Sequence, residues 1–284
     1  MRQLCQQEKG VNLTRLFYFC VDLAVCFSNY LDNLKQYGLI GYPLGHSFSQ
    51  RYFTEKFQRE GIADSRYDLF PLPDIATLPD LIAANPQLCG LNVTIPHKVA
   101  ILPHLHRLDE TAAAIGAVNV VRISNGLLTG FNTDAVGFER SLEPWLDTRT
   151  GSTRALILGT GGASKAVAYV LQKNNVAFQH VSRDPRVKNQ VAYAELPHFD
   201  FASIHWIFNT TPLGTYPDTE TCPDLPFELL NAQHLVYDLV YNPAETLLLQ
   251  RAKARGCTLK NGLEMLQLQA EAAWEIWQDF SNVY

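Results

Sequence analysis

The strongest constraint on the fold of this chain is a glycine-rich turn between an apolar run and a helix-forming run. Residues 155–158 read ALIL, residues 159–164 read GTGGAS and residues 165–171 read KAVAYVL. This order predicts a strand, a tight turn and the start of a helix. Glycines let the backbone approach a pyrophosphate, whose charge then meets the free N–H groups of the helix N-terminus. The turn predicts a dinucleotide site, although Ser164 replaces the last glycine of the fingerprint and an ordinary strand-to-helix turn is the alternative for this motif alone.

Length and composition suit a globular chain of one or two domains. The protein has 284 residues, of which 47% are apolar, and about 150 of them precede the glycine turn. That many residues can form an additional domain for the molecule on which the dinucleotide acts. The net charge is -5 and no Lys or Arg cluster stands out, so nucleic acid is not an expected partner. The six cysteines lack metal-ligand spacing, so we expect no metal site, no disulfide framework and a reducing, cytoplasmic compartment.

Residues 1–36 differ in character from the rest of the chain. Their apolar run, 16–27, is interrupted by Asp22 and is too short to span a bilayer. A secretory signal peptide is the alternative, but Glu8 and Asp22 suit one poorly and no small-residue cleavage site follows cleanly. We expect an extension outside the core fold, either a loosely attached helix or residues added by an upstream start codon.

Strand and helix patterns alternate from Tyr37 onward, which predicts an α/β fold. Before the glycine turn, strand patterns occur at 37–41, 67–71 and 90–94 and helix patterns at 49–60 and 75–84. Apolar runs at 118–123 and 127–131 flank Asn125-Gly126, which is a strong hairpin signal. After the glycine turn, strand patterns occur at 177–181, 206–209 and 235–239 and a long helix pattern at 264–280.

These patterns predict two α/β domains. Residues 37–138 would form the first domain and residues 139–261 a Rossmann-type nucleotide-binding domain. The helix at 264–280 lies too far along the chain to belong obviously to the nucleotide sheet. We therefore expect residues 262–284 to return and complete the first domain.

Polar clusters follow the predicted strands of the first domain, where open α/β sheets bind ligands. Ser47 and Ser49 could hold a carboxylate without a cation, although a helix N-cap at Ser49 is the simpler interpretation for this pair alone. Lys98 projects from a strand-to-helix junction, where a single lysine is usually a solvated charge. The polar residues of 116–119 and 132–134 could each serve only to form a turn. Only their joint occurrence favours a ligand site.

Together, the motifs resemble those of the shikimate dehydrogenase family over residues 37–277. The shared segments are the serine pair Ser47-x-Ser49, N-V-T-x-P-x-K at 92–98, G-A-x-N at 116–119, N-T-D-x-x-G at 132–137, G-x-G-G-A at 159–163, N-x-T-P-x-G at 209–214, D-L-V-Y-N-P at 238–243 and G-L-E-M-L-Q-L-Q-A at 262–270. Such motifs in the right order are far more specific than any one of them. The resemblance implies a Rossmann-type NADP-binding domain and the reversible, NADPH-dependent reduction of 3-dehydroshikimate to shikimate, a step toward chorismate and the aromatic amino acids.

The resemblance implies a substrate site made of Ser47, Ser49, Thr94, Asn119, Asp134, Tyr241 and Gln269. The two serines would bind the substrate carboxylate beside Tyr241, and the other residues would hold the ring hydroxyls. Lys98 and Asp134 would form the catalytic pair, with Lys98 as the proton donor. Hydride arriving at a ketone carbon leaves charge on the oxygen, and a positioned acid must neutralise that charge.

The resemblance also implies an NADP site made of Gly159, Thr160, Gly161, Gly162, Ala163, Ser182, Arg183, Arg186, Thr210 and Gly262. Arg183 would stack on the adenine and pair with the 2′-phosphate, and Arg186 or Lys188 would add charge. Ser182 and Asp184 depart from the N-R-T segment of the family. An acid at this point can instead bind a free ribose 2′-hydroxyl, so NAD remains the alternative cofactor.

Two other functions stay open at this point. A quinate/shikimate dehydrogenase using NAD(P) would carry the same catalytic pair, but such members often alter the serine pair that is intact here. A non-catalytic sensor on the same fold would not need Lys98 and Asp134. The expected partners are a small-molecule substrate and, at most, a second copy of the chain, as a monomer or homodimer away from membranes.

Overall fold

The structure is a computed structural model that describes residues 34–45, 48–148 and 152–279. The extension expected at 1–36 therefore lies almost wholly outside the described residues. The described strands form two six-stranded sheets with helices packed against them. The predicted α/β class is confirmed.

The first sheet has the strand order β2-β1-β3-β5-β6-β4. Its strands are β1 (Lys35–Gly41), β2 (Ser65–Pro71), β3 (Leu88–Val93), β4 (Arg107–Leu108), β5 (Val120–Ser124) and β6 (Leu127–Phe131). β1 pairs in parallel with β2 and β3, whereas β5 pairs antiparallel with β3 and β6. The three strands and the hairpin predicted here are confirmed, and the short edge strand β4 was not predicted.

The β5–β6 hairpin brings two polar segments together at its open end. Asn125 and Gly126 have φ angles of 50° and 76°, the left-handed conformation that a two-residue hairpin turn needs at both central positions. Val120 pairs with Phe131 at the other end of the ladder. Asn119 and Asn132, the residues just beyond that pair, are therefore neighbours.

The described helices are α1 (Phe48–Glu60), α2 (Leu78–Ala84), α3 (His97–Ala100), α4 (Glu110–Ile115), α5 (Thr133–Leu146), α6 (Gly162–Lys173), α7 (Leu247–Lys253) and α8 (Leu263–Gln278). The prediction of one helix over 75–84 is wrong in its first turn. Ile75–Thr77 is a 3₁₀ turn capped by the Asp74 side chain, and α2 starts at Leu78 with Pro79 in its first turn. An unbroken helix would need an N–H donor from Pro79, and proline has none.

The second sheet is parallel throughout, with the order β12-β11-β10-β7-β8-β9. Its strands are β7 (Arg154–Leu158), β8 (Ala177–Ser182), β9 (Gln190–Ala192), β10 (Trp206–Asn209), β11 (Leu235–Asp238) and β12 (Thr258–Asn261). Strands β8 and β9 lie on one side of β7, and strands β10, β11 and β12 lie on the other side. The glycine turn follows β7 at this reversal of strand order, the place where open α/β sheets bind ligands.

Two helices connect the halves of the molecule. α5 begins beside the first sheet, while its Phe138 packs against Phe208 and Tyr237 of the second. α8 returns to the first sheet, as predicted, where Trp277 stacks on Tyr37 with ring centroids 4.9 Å apart. The boundary expected between residues 138 and 139 falls within α5, and the domain limits stay a prediction. Among the described helices, none is long and apolar enough to cross a membrane.

Candidate active site

The glycine turn has the backbone that the sequence predicts. Gly159 has a φ of +107°, and a Cβ there would lie 2.9 Å from Thr210 Oγ1, so this position requires glycine. Ser164, in the last position of the fingerprint, is buried and donates its hydroxyl to the Gly161 carbonyl at 2.6 Å. This hydrogen bond stabilises the glycine turn from its buried side. The first N–H groups of a helix lack partners within it, so those of α6 suit an anion.

The turn opens into a cleft of about 1070 Å³ that both halves of the molecule line. Thr94 and Lys98 of the first half face it together with the glycine turn of the second. Nine residues expected at the cofactor line this cleft: Gly159, Thr160, Gly161, Gly162, Ala163, Ser182, Arg183, Arg186 and Thr210. Its volume and its glycine-lined wall fit a dinucleotide.

Gly262 is the exception, because it is not among the residues lining the cleft. It stands just before α8, where a Cβ would overlap the backbone of Leu239. Its N–H donates to the Val240 carbonyl at 3.1 Å. The residue therefore ties the start of α8 to the loop after β11, and its contact with a cofactor stays a prediction.

Lys98 and Asp134 form a close ion pair. Lys98 Nζ donates to Asp134 Oδ2 at 2.6 Å, and the two side chains are 20% and 10% exposed. Lys98 lies on α3, directly after β3, and Asp134 lies in the first turn of α5, where the helix dipole favours a carboxylate. The Asn132 side chain caps α5 by accepting from Ala135 N at 3.2 Å. The hairpin and the two helix starts together bring the pair to one point.

Lys98 also lies against the glycine turn. A Cβ placed on Gly162 would be 3.4 Å from Lys98 Cδ. Lys98 belongs to the first half of the chain and Gly162 to the nucleotide half. The lysine side chain therefore stands where the two walls of the cleft meet.

Asn119 joins α5 and α8 behind that pair. Its Nδ2 lies 2.9 Å from Asp134 Oδ1, 3.0 Å from Thr133 Oγ1 and 3.3 Å from Gln269 Oε1. Its Oδ1 accepts from Thr133 N at 2.7 Å. One carboxylate oxygen of Asp134 thus binds Asn119 while the other binds Lys98. The structure brings together the predicted residues Asn119, Asp134 and Gln269.

Ser49 is the second residue of α1, inside the helix and not at its N-cap, so the simpler sequence interpretation is wrong. Its hydroxyl bonds to Tyr67, and Tyr67 Oη donates to Asn92 Oδ1 at 2.6 Å. Burial raises the pKa of Tyr67 well above its usual range, so this phenol stays neutral. Ser47 lies outside the described residues.

The other two predicted substrate residues flank this region. Thr94 follows β3, lines the cleft, and donates its N–H to the Ile40 carbonyl at 2.9 Å. Tyr241 follows β11, and its ring meets the edge of Phe48 in α1 with centroids 5.5 Å apart. Burial raises the pKa of the Tyr241 phenol. Tyr241 therefore lies beside the first turn of α1, which carries Ser49.

Asp184, the acid that keeps NAD as the alternative cofactor, already forms an ion pair. Asp184 Oδ2 accepts from Arg186 Nε at 2.8 Å and from Arg186 Nη2 at 2.7 Å. The Asp184 N–H in turn binds Ser182 Oγ at 3.1 Å. Arg183, which also lines the cleft, has no ion pair among the described residues, so its guanidinium is available to a phosphate.

A buried carboxyl group holds the loop that carries Tyr241. Asp238 is fully buried and accepts from Asn209 Nδ2 at 2.9 Å, Val240 N at 3.0 Å and Thr246 Oγ1 at 2.5 Å. Burial raises the pKa of Asp238 to about 6, although these three hydrogen bonds act against it. The segments 209–214 and 238–243 of the sequence are therefore joined through the hydrogen bond between Asn209 and Asp238.

Two residues that support the site were missed by the sequence interpretation. Thr133 stands inside the quoted N-T-D segment, next to Asp134, and binds Asn119 through both its N–H and its hydroxyl. Tyr67 is the one buried residue of β2, whose other residues are half-buried or exposed. A buried phenol usually needs a hydrogen-bond partner, and that signal could have identified it.

Comparisons with known proteins identify the family of this chain. The family model for the shikimate dehydrogenase substrate binding domain matches residues 39–121. The shikimate dehydrogenase (NADP(+)) of Desulforamulus reducens is 34% identical over 264 residues, covering 86% of this chain and 90% of that protein. The crystal structure of a chorismate mutase/shikimate 5-dehydrogenase fusion protein from Clostridium acetobutylicum is 37% identical with a TM-score of 0.77, covering 88% of this chain and 92% of that one.

A second solved structure carries ligands. Shikimate 5-dehydrogenase from Thermus thermophilus, in complex with NADP(H) and shikimate, is 31% identical with a TM-score of 0.75, and the match covers 86% of this chain and 94% of that one. Identity above 30% thus extends over most of both chains and accompanies the same two-sheet fold. This chain belongs to the shikimate dehydrogenase family.

Proposed function

We propose that the protein is an NADP-dependent oxidoreductase that reversibly reduces 3-dehydroshikimate to shikimate. The observation that carries the proposal is the Lys98–Asp134 pair, with Nζ and Oδ2 2.6 Å apart, held against the glycine turn at Gly162. An acid–base pair at the wall of a dinucleotide cleft is what reduction of a ketone requires. The family membership supports the same reaction.

The substrate would lie across the first half of the cleft. Its carboxylate would bind Ser47 and Ser49 near Tyr241, because hydroxyl groups can hold a carboxylate by donating to it. Its ring hydroxyls would meet Thr94, Asn119, Asp134 and Gln269. This assignment is supported by the contacts among Asn119, Asp134 and Gln269 and by the position of Thr94 in the cleft.

The cofactor would occupy the glycine-lined part of the cleft, where NADPH supplies a hydride to the ketone carbon. The α6 N-terminus would face its pyrophosphate. Arg183 would bind the 2′-phosphate, and a bidentate guanidinium suits that group. The Asp184 carboxylate is compatible with this choice, since it pairs with Arg186.

Lys98 would move the proton. In the reducing direction its ammonium would donate a proton to the ketone oxygen as the carbonyl carbon gains hydride. The C=O double bond would become a C–O single bond with a new C–H and a new O–H bond, and the lysine would become a neutral amine. Asp134, oriented by Asn119 through its other oxygen, keeps the amine aligned and favours its reprotonation from solvent. In the oxidising direction the same pair accepts the hydroxyl proton.

The first experiment offers shikimate or quinate with NADP or NAD, in all four pairings, and follows nicotinamide absorbance. We expect rapid turnover with shikimate and NADP only. Comparable rates with quinate would instead make the protein a quinate/shikimate dehydrogenase. No turnover in any pairing, with binding of shikimate retained, would contradict the enzyme assignment.

The role of Lys98 is tested by Lys98→Ala. Loss of the proton donor should lower kcat by about 100- to 10,000-fold, while the shikimate Kd changes less. Lys173→Ala is the matched control, because Lys173 pairs with Glu139 on the surface at 2.8 Å and should keep normal turnover. A Lys98→Ala protein with a wild-type rate would contradict the assignment.

The protein would work in the cytoplasm as a monomer or homodimer. Cys89, Cys222 and Cys257 are free thiols among the described residues, which suits a reducing compartment. Size-exclusion chromatography with light scattering at micromolar concentration decides between one and two copies.

A further inference from the structure

Glu271 of α8 joins two residues of α1 through one carboxylate. Its Oε1 accepts a hydrogen bond from Tyr52 Oη, and its Oε2 pairs with Lys56 Nζ at 2.7 Å. Lys56 also pairs with Glu60 Oε1 at 3.0 Å. Lys56 and Glu271 are 215 residues apart in the chain, so this junction connects two distant helices.

The lysine in this junction is buried, with 5% of its side chain exposed. Burial alone would lower the pKa of Lys56, but its hydrogen bonds with the Glu271 and Glu60 carboxylates raise it. A buried charge of this kind depends on its partners, and removing one leaves the other uncompensated. The junction therefore ties α8 to α1.

The junction lies beside both ends of the proposed substrate pocket. On α1, the Tyr52 ring stacks on Phe48 with centroids 5.4 Å apart, and Phe48 meets Tyr241. Ser49 is the next residue after Phe48. On α8, Glu271 comes two residues after Gln269, which faces Asn119 from the other side of the helix.

We propose that Glu271 is a positioning residue for substrate recognition, which sets the spacing between Ser49 on α1 and Gln269 on α8. This inference rests on the proposed function, in which the carboxylate binds at Ser49 and a ring hydroxyl at Gln269. A rigid substrate that spans both groups needs them at a fixed separation. Misplacement of a binding group by about 1 Å can reduce productive binding strongly.

The test uses Glu271→Gln and Tyr52→Phe in the full-length protein. Glu271→Gln removes the charge that ties Lys56 to α8 and leaves its pair with Glu60 on α1. Tyr52→Phe removes only the phenol bond while keeping the ring on Phe48. We expect the KM for shikimate to rise about tenfold in Glu271→Gln and severalfold in Tyr52→Phe. The kcat at saturating shikimate and the KM for NADP should stay within about twofold of wild type.

The matched control is Glu275→Gln on the same helix. Glu275 pairs with Arg140 of α5 at 4.0 Å and is 65% exposed, so its ion pair is with α5 and not with α1. Its shikimate KM should remain that of wild type. A general loosening of α8 would instead raise the KM values of both substrates or lower kcat.

The outcomes separate this inference from the proposed function. An unchanged shikimate KM in folded Glu271→Gln and Tyr52→Phe proteins would overturn the positioning role while leaving the enzyme assignment intact. If Glu271→Gln fails to fold, Tyr52→Phe alone decides, and an unchanged KM in it overturns the role. Absence of shikimate turnover in the wild type would contradict the proposed function itself.

Discussion

Asp238 shows burial and hydrogen bonding acting in opposite directions on one carboxyl group. Burial disfavours its charge, whereas donors from Asn209, Val240 and Thr246 favour it. Burial is the stronger effect, and the pKa of Asp238 is about 6. This group lies under the loop that leads to Tyr241. A change in its protonation near neutral pH therefore changes the stability of the fold.

The first prediction concerns the pH dependence of stability. The folded-state pKa lies above the unfolded value of about 3.9, so the folded protein binds more protons between these values and the Asp238 contribution rises as pH falls through 6. The free energy of unfolding of wild type, relative to Asp238→Asn, should increase by about 1 kcal/mol from pH 7 to pH 5. Urea titrations of both proteins measure this difference, and parallel pH profiles would contradict it.

The second prediction concerns Arg183 and the choice of cofactor. A hydrogen bond to a charged group contributes about 1.5–3 kcal/mol, so Arg183→Ala should raise the KM for NADP more than about tenfold and affect the KM for NAD far less. Arg186→Ala serves for comparison and should have a smaller effect, because Arg186 is engaged by Asp184. Equal losses with both cofactors in Arg183→Ala would place the guanidinium away from the 2′-phosphate.

At the scale of elements, the packing of α8 on α5 completes the site. Asp134 lies on α5 and Gln269 on α8, and the helices can approach closely because residue 137 is a glycine. A Cβ on Gly137 would lie 2.6 Å from the Met265 carbonyl oxygen and 2.9 Å from Gln269 Cβ. The glycine of the N-T-D-x-x-G segment thus serves helix packing.

The third prediction follows from that contact. Gly137→Ala should destabilise the protein by about 1–3 kcal/mol, as overpacked cores do, and should raise the shikimate KM by displacing Gln269. Gly161→Ala is the control for adding a methyl group, since its Cβ would meet nothing within 4 Å, and its stability should stay close to wild type. Thermal unfolding with parallel kinetics measures both effects. Wild-type stability of the Gly137→Ala protein would contradict this prediction, because it would mean that α8 can shift away from α5 without loss of stability.

At the scale of the whole molecule, the cleft walls come from different parts of the fold. Ile95 after β3 and Leu213 after β10 both line the cleft and are 70% and 36% exposed. When a ligand cleft closes, burial of its exposed apolar side chains lowers the free energy of the closed form. Closure would also exclude water from Lys98.

The fourth prediction is that the two halves close when both ligands bind. Small-angle X-ray scattering of the protein with NADP and shikimate together should give a smaller radius of gyration than the protein alone. Each ligand by itself is the control and should produce a smaller change. Identical scattering curves in all conditions would argue for a cleft that is already in its working shape.

Local features were predictable from sequence because local chemistry decides them. The strand before Gly159 and the helix after it follow from apolar runs, and the Asn125-Gly126 turn follows from its need for positive φ. The 75–84 helix was predicted less well, since its pattern did not reveal that Pro79 shifts the helix start. Ser49 lies inside α1, whereas its residue type alone suggested the N-cap.

The sequence by itself determined the alternation of strands and helices, the nucleotide turn and the residue types of the site, because short-range periodicity and turn chemistry specify these. Only the tertiary structure decided that Lys98 meets Asp134 and that Glu271 joins α1 to α8. These contacts depend on the distances between side chains on elements far apart in the chain. Such distances follow from the packing of whole helices and sheets, which no local pattern encodes.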